Sequence, residues 1–128
     1  MGGGVGATVL ILDDEPSLRL LCRVNLELDG YRVLEASSVA RAREALTSEA
    51  VDAILLDVHL EDGDGRELLR ELGARRPPAA LFTGSEPFSE VADVADAVIQ
   101  KPFEIGLLRR TVADLVSRRY PAQVDSGR

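Results

Sequence analysis

Ala53-Ile54-Leu55-Leu56-Asp57 is an unbroken apolar run that ends on a carboxylate, preceded by Val51-Asp52 and followed by a polar, Gly-rich loop. A run of this kind fits a strand covered on both faces rather than one with a solvent side. A buried strand that ends on an acid delivers it to the crevice beyond the strand tips, where open α/β sheets place their ligands. One such acid alone reads more simply as a solvated strand end. Other runs change the balance: Val9-Leu10-Ile11-Leu12 ends on Asp13 and Asp14, Leu81-Phe82 on Thr83, and Ala97-Val98-Ile99-Gln100 on Lys101. Carboxylates, a hydroxyl and an amine therefore collect at the ends of apolar strands.

Helical patterns fill the gaps between these runs. Glu15-Pro16-Ser17 opens a helix, with Pro in the first turn and acids at the positive end, and Leu18, Leu21, Cys22 and Leu28 recur at helical spacing until Asp29-Gly30 stops it. Residues 31–36 alternate as an edge strand would, and Ser37-Ser38 then caps a helix with Val39, Ala42 and Leu46 inward. A third helix with Leu68, Leu69 and Leu72 on one side closes at Gly73 and Pro77-Pro78. Residues 84–96 support only a turn or two of helix. The last helix follows Pro102-Phe103, with Ile105, Leu108, Val112, Leu115 and Val116 at helical spacing. Strand and helix alternate, so the predicted fold is α/β, a doubly wound five-stranded parallel sheet in the order 2-1-3-4-5 with helices on both faces and a shortened fourth helix. In that order the switch point lies between the first and third strands, at Asp13, Asp14 and Asp57.

A chain of 128 residues is one domain, read here as a flexible leader over 1–7, the domain over 8–118 and a flexible tail over 119–128. The formal charge of −7 argues against direct nucleic-acid binding, which needs a basic patch to displace counterions. Cys22 is the single cysteine, so no intramolecular disulfide forms. No stretch approaches the ~20 apolar residues of a membrane span, and Met1-Gly2-Gly3-Gly4 lacks the charged and apolar parts of a signal peptide. The expectation is a soluble cytoplasmic protein without membrane contact.

Carboxylates held within several ångströms of one another repel, and some take up protons unless a cation lies among them. Oxygen-only ligands select a hard ion, and Mg²⁺ suits a site that keeps room for waters and a phosphoryl oxygen, with Mn²⁺ as a substitute. The Asp62-Gly63-Asp64-Gly65 stretch lacks the spacing of a calcium loop and reads as a turn. A metal beside a carboxylate, with an amine and a hydroxyl for equatorial oxygens, meets the needs of phosphoryl transfer. Asp57 is then the nucleophile, Asp14 a direct metal ligand, Asp13 a ligand through water, Lys101 the partner of the phosphoryl group and Thr83 a donor to it.

These residues resemble the receiver domain of two-component response regulators, a flavodoxin-like fold. The resemblance covers residues 8 to about 118 and rests on Asp13-Asp14-Glu15, Asp57 with Gly65 eight residues on, Thr83-Gly84 and Lys101-Pro102-Phe103, in that order. It implies a regulatory phospho-acceptor rather than an enzyme, taking a phosphoryl group in the presence of Mg²⁺ from a phosphohistidine of a sensor histidine kinase or histidine phosphotransfer protein. It further implies that Asp57 is the acceptor, that the backbone carbonyl of His59 joins Asp13, Asp14 and Asp57 at the metal, and that the Lys101-Pro102 peptide is cis. Pro102, Gly65, Gly84 and Val98 are supporting residues. A stand-alone receiver acting on a downstream protein target is the reading that follows.

The chain departs from the family pattern in three places. Glu61 stands where a Pro is usual, which predicts a less rigid loop after the acceptor. Val98 stands where an aromatic usually swings inward as the Thr moves. The segment between Thr83 and Lys101 is about one helical turn shorter than usual. A β-branched residue has too little reach to repack a surface, so phosphorylation is expected to act by ordering residues 84–96, anchored by Phe88 and Val91. Two other readings are a phosphorylation-independent receiver-like adaptor and an aspartyl-nucleophile phosphatase. The phosphatase wants a second acid two residues after its nucleophile, where this chain has His59.

Overall fold

The computed structural model describes residues 6–119. In chain order the elements are β1 (Thr8–Leu12), α1 (Pro16–Leu28), β2 (Arg32–Ala36), α2 (Val39–Ser48), β3 (Ala53–Asp57), two short strands β4 (His59–Leu60) and β5 (Gly63–Asp64), α3 (Gly65–Leu72), β6 (Ala79–Thr83), α4 (Phe88–Val91), β7 (Ala97–Gln100) and α5 (Ile105–Arg119). The five long strands are parallel in the order β2-β1-β3-β6-β7, which is the predicted 2-1-3-4-5 once the short strands are set aside. The central strands are buried on both faces because successive side chains enter different layers. Val9, Ile11 and Leu55 pack against Cys22 and Leu26 of α1 and Leu108, Val112 and Leu115 of α5. Leu10, Leu12, Ile54 and Leu56 pack with Val39 and Ala42 of α2, Leu68 and Leu69 of α3, and Val91 of α4.

At the inner edges of the expected leader and tail, Ala7 is buried and its carbonyl accepts from Arg32 N–H at 2.8 Å, while Arg119 ends α5. The rest of the expected leader and tail, apart from Gly6, lies outside the described residues. Among the described residues, no helix is long and apolar enough to cross a membrane.

Two predicted faces need correction. In α1 the buried residues are Cys22 and Leu26, whereas Leu21 faces solvent and Leu28 is 79% exposed. This helix is apolar around most of its circumference, so spacing alone did not determine which stripe meets the sheet. In α4, Val91 is fully buried but Phe88 is 69% exposed, so in this structure only Val91 of the two expected anchors is seated. Val91, Val94 and Ala95 pack on the core.

The loop after Asp57 is better braced than the Pro-to-Glu61 change predicts. His59 pairs with Asp64 and Leu60 with Gly63 in an antiparallel bridge. Both carboxylate oxygens of Asp62 accept from the Val39 and Ala40 N–H groups, at 2.8 and 3.1 Å, closing the start of α2. Asp64 caps α3 by accepting from Arg66 N–H. The acids of the Asp62-Gly63-Asp64 turn are thus engaged as helix caps.

Candidate functional site

Parallel strands β1 and β3 are neighbours, so their carboxyl ends release Asp13, Asp14 and Asp57 at one point of the sheet edge. Each offers a carboxylate oxygen, and the three oxygens lie within 4.8 Å of one another. Asp13 has no exposed surface, Asp57 keeps 19% of its side chain exposed, and Asp14 is exposed. Buried and open acids in one cluster give a site with a fixed floor and an open mouth. Asp13 is held on every side: its N–H donates to the Ala36 carbonyl, its carbonyl accepts from Arg19, and its Oδ1 accepts from Glu15 N–H at 2.9 Å.

Lys101 comes from the end of β7 and closes the group. Its Nζ lies 3.1 Å from Asp13 Oδ2 and 3.2 Å from Asp57 Oδ2. The Lys101-Pro102 peptide is cis, as the resemblance implies, and Lys101 N–H donates to the Thr83 carbonyl at 2.7 Å. The ammonium also lies 5.5 Å from the centre of the Phe82 ring, which in turn stacks on Phe103 with centroids 5.4 Å apart. Nothing in the sequence spacing of Phe82 and Phe103 shows that one ring lies under the amine.

The electrostatics follow from this geometry. Burial raises the Asp57 carboxyl above its ordinary value, and the neighbouring charge of Asp13 adds to that; Lys101 opposes both without cancelling them. Burial works against the Lys101 ammonium, but its hydrogen bond to Asp13 and the charges of Asp13 and Asp57 outweigh it, so Lys101 is held above the usual lysine range. Cys22 lies in the core near this cluster, where burial and then the Asp13 charge push its thiol up to about 12.

Thr83 ends β6 and is buried, one strand over from Asp57, whose partner across the sheet is Phe82. Gly65 opens α3 directly behind Asp57: a Cβ there would lie under 3.0 Å from the Asp57 carbonyl oxygen. Gly84 is different, because a Cβ at that position meets open space, and its N–H instead donates to Glu86 Oε1 at 2.9 Å. The His59 imidazole pairs through Nε2 with Glu86 Oε2 at 2.7 Å. Val98 pairs with Leu81 and packs, partly buried, against the same core cluster as Val94 and Ala95. Sequence spacing gave no sign of Glu86, which reaches the site only through the folded loops. A cavity of about 500 Å³ lined by Leu69, Gly73, Arg76, Pro78, Val94 and Asp96 lies at the amino ends of the strands, opposite the acids, and the chemistry-bearing groups are not there.

The family described as response regulator receiver domain matches residues 9–113. The chain is 39% identical over 119 residues to the KDP operon transcriptional regulatory protein KdpE of Escherichia coli, covering 89% of this chain and 52% of that protein. It is 30% identical over 130 residues to the probable transcriptional regulatory protein TcrX of Mycobacterium tuberculosis, covering 97% of this chain and 56% of that one. The chain therefore spans about half the length of these relatives. Among solved structures, a two-component response regulator from Clostridium difficile superposes with a TM-score of 0.82 at 22% identity, covering 91% of this chain and 99% of that one. A CheY-like response regulator receiver domain protein from Methanospirillum hungatei gives 0.81 at 24%, covering 89% and 96%. With its sheet order, its acid cluster and this match over most of its length, the chain belongs to the response regulator receiver domain family.

Proposed function

We propose that this chain is a regulatory phospho-acceptor in which Asp57 takes a phosphoryl group from a protein phosphohistidine. The observation that carries the reading is the meeting of Asp57, Asp13 and Asp14 with the Lys101 ammonium at the ends of adjacent strands. An Asp57 carboxylate oxygen attacks phosphorus, the P–N bond to the donor imidazole breaks, and the imidazole leaves with the bonding pair. Lys101 moves from a carboxylate partner to a phosphoryl partner, and Thr83 donates to the group that arrives. The oxygen-only donor set of three acids fits a hard divalent ion. Asp14, Asp57, the His59 carbonyl and, through water, Asp13 would hold Mg²⁺, which supplies charge neutralisation for the transferring group.

The partner for transfer is a protein, and α1 offers it a surface. Leu20, Leu21, Val24 and Leu28 are exposed on the helix that begins three residues after Asp13. Replacing Val24 and Leu28 with Ser should slow transfer from a phosphohistidine protein while leaving labelling by acetyl phosphate unchanged. The acidic charge of −7 favours output through protein contacts, in the cytoplasm, rather than through nucleic acid. KdpE and TcrX carry about as much chain again, and the phospho-acceptor role is that of the receiver unit they share with this chain.

Intact mass after acetyl phosphate with Mg²⁺ tests the reading. An adduct in the wild type that is lost in Asp57→Asn supports it, and absence of any adduct favours the phosphorylation-independent adaptor. The phosphatase reading gains nothing from the fold: the residue two beyond Asp57 is His59, with its side chain turned to Glu86.

A further inference from the structure

Glu86 uses both oxygens of one carboxylate to tie together the two loops that flank the acceptor. One oxygen holds the Gly84 N–H at 2.9 Å and the other holds His59 Nε2 at 2.7 Å. His59 stands two residues beyond Asp57, and Gly84 immediately follows Thr83. Although it lies in a loop, the Glu86 side chain is only 12% exposed. Its carboxyl is held below the usual range, first by the Gly84 N–H. Pro87 and the first turn of α4 follow at once.

We propose, on the basis of the phospho-acceptor reading, that Glu86 couples the chemistry at Asp57 to the surface: its carboxylate keeps the Gly84 N–H until the phosphoryl group on Asp57 claims that donor, and its release frees α4. Asp57 pairs with Phe82 across the sheet, and Gly84 lies two residues further on. With strands about 4.8 Å apart and a rise of about 3.3 Å per residue, the Gly84 nitrogen lies roughly 7–8 Å from the Asp57 Cα, within hydrogen-bonding reach of phosphoryl oxygens at the end of that side chain. A phosphoryl group brings three strong acceptor oxygens and more charge than a carboxylate. Gly84 has one proton to give, so the two anions compete for it, and their mutual repulsion adds to the exchange.

A glutamate bonded to a nearby N–H is by itself an ordinary loop device. Two observations give this one a further role. Its second oxygen reaches across to the loop that carries the acceptor, and its backbone leads directly into α4, which has Phe88 on its exposed side. Val98 cannot signal by rotating a ring, so a displaced carboxylate supplies the missing link. Because Val91 is already buried, the change expected on phosphorylation is release of α4 rather than the ordering of residues 84–96 predicted from sequence.

The test uses beryllofluoride with Mg²⁺ on the full chain, read by amide NMR and hydrogen exchange. In the wild type the Gly84 amide resonance should shift, and the Glu90, Ala92 and Val94 amides, which donate within the α4 segment, should exchange about tenfold faster, the scale of one charge-assisted hydrogen bond. Glu86→Ala should show the fast exchange before any beryllofluoride is added and gain little from it, while still binding the probe. His59→Ala, which removes the clasp from the other side, should move exchange in the same direction. A bound adduct with an unmoved Gly84 amide, or a Glu86→Ala protein that exchanges like the free wild type, overturns the coupling and leaves the acceptor reading intact. No adduct in the wild type overturns the acceptor reading, and the coupling with it.

Discussion

Gly65→Ala should separate the position of Asp57 from its chemistry. A Cβ at this first residue of α3 would lie under 3.0 Å from the Asp57 carbonyl oxygen and 3.3 Å from a Leu56 methyl. Carbon and oxygen settle at about 3.3–3.6 Å, so the Asp57 peptide or α3 must yield by roughly 1 Å. The obstacle is backbone, which cannot rotate aside as a long side chain would. Overpacking of this kind costs about 1–3 kcal/mol. Replacing Gly by Ala within a helix returns up to about 1 kcal/mol, so the net loss is about 0–2 kcal/mol. The thermal midpoint should then fall by at most roughly 10 °C, leaving a folded protein. Function should suffer more, because a shift of about 1 Å in a reacting group costs on the order of 100-fold in rate. The assay is the rate at which intact mass gains a phosphoryl group from acetyl phosphate at fixed Mg²⁺, with the thermal midpoint measured on the same sample. Gly84→Ala is the stability control, since its Cβ meets open space and its effect should stay within about 0.5 kcal/mol. A folded Gly65→Ala protein that labels within about twofold of wild type would refute the claim that the Asp57 backbone position limits transfer.

Asp57→Asn should abolish labelling and also raise stability at neutral pH. The folded Asp57 carboxyl is held above its unfolded value, so stability falls as pH rises through that raised value, and the Asn variant escapes the loss. Denaturation curves should diverge with rising pH and meet in acid; equal midpoints at neutral pH would contradict the burial argument. Mg²⁺ affinity, followed by calorimetry, should weaken as pH drops toward the raised Asp57 value, because metal and proton compete for the same carboxylate. Asp14→Ala should weaken it at every pH, and an unchanged affinity would remove Asp14 from the metal. Lys101→Ala leaves Asp13, with no exposed surface, without its ammonium partner. Discounted because Lys101 is partly exposed, the cost is about 1–3 kcal/mol. Since Lys101 is held above the usual lysine range, that difference should persist through neutral pH and fade only as strongly alkaline pH passes the folded value. A difference that vanishes near pH 8 would show that the pair is not what Lys101 contributes.

The strands and the acid cluster were legible because they rest on local patterns. A run such as Ile54-Leu55-Leu56 has to be covered on both faces, and the residue that ends it has to emerge at the sheet edge. The helix faces were less legible. Leu18, Leu21, Cys22, Leu26 and Leu28 fit more than one stripe, and only the packing of Cys22 and Leu26 against the sheet selects the inner one. Phe88 invited burial by its size, yet a four-residue helix has room for one buried anchor, and that is Val91. The contacts of Glu86 with His59 and of Asp62 with Val39 join loops 27 and 23 residues apart, and no periodicity encodes such meetings. The same holds for the Phe82 ring beneath Lys101, where both residues were visible but their approach was not.

Cys22 gives this protein a built-in gauge of its own opening. The reactive form of a cysteine is the thiolate, and a thiol pushed up to about 12 with no exposed surface offers almost none of it at neutral pH. An alkylating reagent must therefore wait until α1 lifts from the sheet and the core cluster that includes Cys22 opens. The rate at which the free thiol disappears under native conditions, divided by the rate for the unfolded chain, then gives the equilibrium for that opening. Because the sulfur feels the charges of Asp13 and Lys101, a ligand that fastens the acid edge of the sheet would register as slower alkylation, without any label attached to the protein.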